Sequence, residues 1–135
     1  VSGSEVDALL DELRRHGWET YVFGRRDNPH AVGMAYRWEA CADVLVLHAE
    51  DDATAYRMPL LPDADLFAPA TVSWHYHAPA AWTIRAVLSL PRPGSPGAPL
   101  AMLTPPPDCG VPAQLRRTMT IRPNPRDGRQ RHATT

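Results

Sequence analysis

The chain contains no lysine: all 14 of its basic residues are arginine. Complete loss of lysine, beside abundant alanine and 15 prolines, is what a GC-rich coding sequence produces. An arginine here therefore carries no implication of bidentate recognition over a plain positive charge. Cysteine is scarce. Cys41 and Cys109 stand alone and far apart, which argues against a disulfide-stapled extracellular scaffold. No apolar run approaches the roughly 20 residues needed to span a bilayer, so no membrane role is expected. The first residues form a charged amphipathic segment instead of a basic stub with an apolar core, and the expected setting is reducing and cytoplasmic. There is no phosphate-binding Walker loop, no G-x-G-x-x-G after a strand, no H-E-x-x-H, no G-x-S-x-G and no C-x-x-C.

What remains is a chain of 135 residues, 44% hydrophobic, with a formal charge of −1. That length holds one core. Residues 1–90 are expected to form the globular domain, 91–112 a proline-rich linker or partly docked segment, and 113–135 a basic, mostly disordered tail. Ten of the prolines lie beyond residue 90, and charge divides along the same line. Residues 1–112 hold 8 arginines against 14 acids, whereas 113–135 hold 6 arginines against Asp127 alone.

The opening segment is the clearest element. Val6, Leu9, Leu10 and Leu13 fall at i, i+3, i+4 and i+7, one apolar stripe of a helix. Ser4 is a suitable N-cap, Arg14 and Arg15 fall in the last turn, and Gly17 supplies the stop. From Trp18 the period becomes two. Strands are expected over 18–23, 31–38, 43–49, 53–58, 71–77 and 82–90, with Glu50-Asp51-Asp52 as a hairpin turn. The run 43–49 is apolar on both sides, as in a central strand. A further edge strand is expected within 116–122. The fold class is therefore α+β: an N-terminal helix on an antiparallel sheet of five or six strands. The expected core between them is Leu9, Leu13, Met34, Tyr36, Trp38, Val44, Val46, Trp74, Tyr76, Trp82, Ile84 and Leu88. Truncating Trp74 or Trp82 there should cost about 3–5 kcal/mol.

Chemistry concentrates in TVSWHYH (71–77). Alternation puts Trp74 and Tyr76 on the core side and His75 and His77 outward. A His-x-His pair supplies two ligands to zinc, and His48 with Glu50 are the best further donors. Against this, the expected register pairs Tyr76 with Ile84 and sets Arg85 opposite His75, where a guanidinium disfavours a bound cation. The carboxylates of the Glu50 corner and of Asp63 and Asp65 suit magnesium, but turns of this composition are ordinarily solvated. Cys41 with His48 as base is outweighed by a plain packing role for the thiol.

The outward sheet face is the main candidate surface. Arg37, Arg57, His75, His77 and Arg85 project there among small residues and could contact an anion or a partner. The tail arginines Arg116, Arg117, Arg122, Arg126, Arg129 and Arg131 could contact nucleic acid or an acidic partner in a salt-sensitive way. The function expected is that of a small accessory protein that binds another protein and has no catalysis of its own. The alternatives are a metal or small-ligand domain built on His48, Glu50, His75 and His77, and a weak nucleic-acid binder.

Overall fold

The computed structural model describes residues 2–25, 27–116 and 120–122. Helix α1 (Ser2–Arg15) leads into β1 (Glu19–Arg25), β2 (Asn28–Arg37), β3 (Cys41–Ala49) and β4 (Asp52–Pro59), a four-strand meander. Strand β5 (Trp74–Ala78), helix α2 (Ala80–Leu88), a 3-10 turn (Ala113–Leu115) and β6 (Thr120–Arg122) follow. The sheet is antiparallel with order β5-β4-β3-β2-β1-β6, so the doubly apolar run 43–49 is indeed interior. The expected late edge strand pairs with β1, setting Ile121 beside Tyr21. Among the described residues no helix is long and apolar enough to cross a membrane.

Helix α1 stops as its sequence dictates. Gly17 adopts φ +98°, its N–H bonds the carbonyl of Arg14, and the N–H of Trp18 bonds that of Leu13. These are the two bonds of a Schellman cap. They deliver Trp18 and Leu13 into one buried cluster with Met34, Leu45 and Ile84, in which both helices cover one face of the sheet.

The expected strand over 82–90 is a helix instead. The segment satisfies both periods, since Trp82, Ile84, Ala86 and Leu88 alternate while Ala80, Ile84 and Val87 form a helical stripe. The helix wins because Ala80, Ala81 and Thr83 are small enough to let it lie close on β4. The buried Thr83 hydroxyl is 3.2 Å from the carbonyl of Ala53 and 3.0 Å from that of Ala78. Pairing of Tyr76 with Ile84, and of His75 with Arg85, is thereby overturned. Strand β5 pairs with β4, setting Tyr76 beside Ala55, His75 beside Tyr56 and His77 beside Thr54. Trp82 and Tyr76 leave the expected core: they are 61% and 37% exposed.

The other sheet face is not open either. Register puts Leu45 beside Met34 under the helices, and turns Val44 and Val46 to the opposite side. There they join Tyr21, Phe23, Tyr56, Phe67, Val72, Cys109 and Val111 in a second buried cluster. Its lid is the loop 60–73 together with the proline-rich strap 103–116, which docks where a free linker was one expectation. The small residues of β2 make room for it. A Cβ on Gly33 would lie 2.6 Å from the Phe67 ring, which itself meets Phe23 edge-on at 4.8 Å. The strap is fastened by an antiparallel bridge of Val72 to Leu103 and a bond from the Val111 N–H to the Phe67 carbonyl.

Arg57, expected on an outward face, lies buried beneath the helix layer. Its Nε and Nη2 donate to the two oxygens of Asp43 at 2.6 and 2.9 Å, and its Nη1 donates to the Pro91 carbonyl at 2.8 Å. Trp38 Nε1 adds a third donor to Asp43 at 3.0 Å. Both side chains of the pair are under 5% exposed. A buried pair of this kind resists single truncation because the survivor is left charged and unpaired. Asp43→Ala or Arg57→Ala should each cost about 3–5 kcal/mol in urea denaturation, whereas the double change Asp43→Leu with Arg57→Met should recover most of that loss. A double variant no more stable than the singles would refute this account.

Candidate functional site

The residues singled out from sequence are dispersed by this topology. Arg37 ends β2 on the sheet face opposite the helices, three strands away from β5. His48 and Glu50 line an open cleft of about 330 Å³ with Asp7 and His30, between the start of α1, the start of β2 and the end of β3. His75 and His77 lie on β5 and do not line it. The four-residue zinc set is therefore not assembled, and among the described residues no three His, Cys, Asp or Glu side chains are grouped to hold a metal ion. Cys41 and His48 stand at opposite ends of β3, some seven residues or roughly 23 Å apart, too far for a nucleophile and its base. Burial also raises the Cys41 thiol above its ordinary pKa and pushes Cys109 up to about 12. Asp65 is taken by Arg116, which grips its two oxygens at 2.8 and 2.7 Å, and by the Phe67 N–H at 3.0 Å. The root of the basic tail is thus an anchor. Of the other tail arginines, Arg122 ends β6, and Arg117, Arg126, Arg129 and Arg131 lie outside the described residues.

One constellation around His77 was invisible in the sequence. Its Nε2 lies 2.7 Å from Asp52 on β4, and its Nδ1 lies 3.2 Å from Asp108 on the strap. Only the imidazolium can donate to both carboxylates at once. The hydrogen bond to Asp52, helped by the negative charge of Asp108, raises the His77 pKa above 6.5. His77 therefore clasps the strap to the sheet edge, and both ring nitrogens are engaged.

The exposed part of β5 and α2 is the candidate interface. Three consecutive side chains of the outermost strand, His75, Tyr76 and His77, are exposed. Trp74 and Tyr76 are on the helix side of the strand and stack with rings 2° from parallel and centroids 6.3 Å apart. On α2, Trp82 points away from the sheet and carries the Arg85 guanidinium 5.8 Å from its ring centroid. Arg85 is held there by Glu5 of α1. The surface combines a strand edge, two exposed aromatic rings and an ordered cation. His75, His77 and Arg85 of the expected face are near it. Trp82 and Tyr76 were missed because the strand assignment buried them. The signal that could have found Trp82 is the helical stripe of Ala80, Ile84 and Val87, which excludes it.

The clasp makes stability depend on pH with a definite sign. His77 has a folded pKa above its unfolded value, so its contribution is full below about pH 6.5 and fades as pH rises through the folded pKa. The melting temperature of wild type minus that of His77→Gln should therefore shrink steadily from about pH 6 to pH 9. Asp52→Asn should return the His77 titration, followed by NMR, toward 6.5. A difference that grew with pH would reject the clasp.

The chain matches no protein-family model, and no curated protein or solved structure is significantly similar to it.

Proposed function

We propose that the protein is an accessory binding domain without catalysis of its own, whose partner is another protein docking on the β5–α2 corner. The observation that supports this is Trp82. An indole 61% exposed on a folded surface, next to an arginine already ordered by an ion pair to Glu5, has the character of a binding hot spot. Tryptophan and tyrosine dominate such hot spots because they offer large contact area with few rotatable bonds, and arginine joins them through its planar, pre-organised donor fork. The arginine–indole contact is worth more once water is excluded, which gives the bound state an advantage over the free one. Strand β5 adds main-chain groups on its open side, to which an extended segment can pair as an additional strand. A reducing, cytoplasmic setting suits the two unpaired cysteines.

The test separates binding from folding. Trp82→Ala should change stability by under about 1 kcal/mol, because the ring is mostly in water. The same change should weaken partner capture by tagged protein from its native extract roughly thirtyfold, the loss typical of a hot-spot side chain. Tyr76→Ala should act in the same direction, and Leu61→Ser, exposed on the opposite loop, should not. A partner retained equally by wild type and Trp82→Ala would remove the proposal.

A further inference from the structure

A separate cleft lies at the far end of α2, independent of the β5–α2 corner. Trp18, Tyr36 and Trp38, with Val87 and Leu88 of α2, wall a cleft of about 230 Å³. Its aromatic wall is continuous. Trp18 and Tyr36 have centroids 6.2 Å apart, and Tyr36 meets Trp38 edge-on at 4.7 Å. Asp43 forms part of the floor, but Arg57 and Trp38 already hold both its oxygens. The floor is thus electrically compensated. At the rim, the exposed Arg92 lies with its guanidinium 5.7 Å from the Trp38 ring centroid, and among the described residues no carboxylate pairs with it.

These features select the occupant. A cation would enjoy the ring faces, but the one nearby carboxylate is spent and Arg92 repels it. An aliphatic guest would leave Arg92 unused. A planar aromatic ring bearing a carboxylate satisfies both parts: the ring packs on the indole and phenol walls, and the anion takes the planar fork of Arg92. Volume agrees, since a dry cavity of about 150 Å³ accepts benzene. The remaining space admits a small charged substituent. We infer that the cleft between the C-terminal ends of α1 and α2 is a binding site for a small aromatic carboxylate, held by Trp38 and Arg92.

The indole N–H resonances of Trp18 and Trp38, assigned through Trp18→Phe and Trp38→Phe, report occupancy in the full-length protein. Benzoate should shift the Trp38 signal saturably with a dissociation constant in the millimolar range or below, whereas acetate and benzylamine should not. Arg92→Gln, at an exposed position, should weaken benzoate at least tenfold while leaving weak binding of benzyl alcohol unchanged. Arg92→Lys should fall between, since it keeps the charge and loses the fork. Absence of a saturable benzoate shift would overturn the inference. So would benzylamine binding as tightly as benzoate, or benzoate affinity unaffected by Arg92→Gln.

Discussion

The Asp43–Arg57 ion pair is the constraint around which the helix side of this domain is arranged. It joins β3 to β4 under the helices, takes a third hydrogen bond from Trp38, and reaches through Arg57 to the Pro91 carbonyl beyond α2. Removing two charges from water is expensive, and only full hydrogen bonding offsets it. The pair therefore fixes the positions of its partners. Trp38 must turn inward, and the chain leaving α2 must pass directly over Arg57. Both candidate surfaces take their shape from this. Arg57 is paired in register with Trp74 of β5, and Trp38 and Arg92 form one wall and rim of the aromatic cleft.

The second sheet face obeys a different rule. A small sheet with helices on one side leaves its other side to water unless something covers it. Here irregular chain does the covering, and the sequence of β2 is adapted to it. Gly33 and Ala35 leave space into which Phe67 descends, and Tyr56 secures the loop by donating its hydroxyl to the Leu66 carbonyl. The proline-rich strap supplies Cys109 and Val111 and is held at four points, by Val72, His77, Phe67 and Asp65. Proline suits a strap of this kind because extended conformation is already its preferred state, so less entropy is lost on docking.

With both faces covered, the recognition surfaces are left at the margins, on the outermost strand and at the helix ends. Among the described residues the buried ionic pair is satisfied by protein partners, so neither proposed site requires a ligand for the fold to be complete.

The sequence alone determined the elements whose signals were local. The 3.6-residue stripe and glycine stop defined α1, and alternation between turn residues defined the meander and the interior position of 43–49. Period two also separated His75 and His77 from Trp74 and Tyr76 onto opposite sides of β5. Three matters were decided only by tertiary structure. The segment 80–88 satisfies both periods, and a sheet surface made of Ala53 and Ala55 favours a closely lying helix there. A strand apolar on both sides gives no information on which side meets the helices, so Val44 and Val46 exchanged places with Leu45. Arg57 reads as a surface residue at its own position, because its partner Asp43 is fourteen residues away and only strand pairing brings the two charges together.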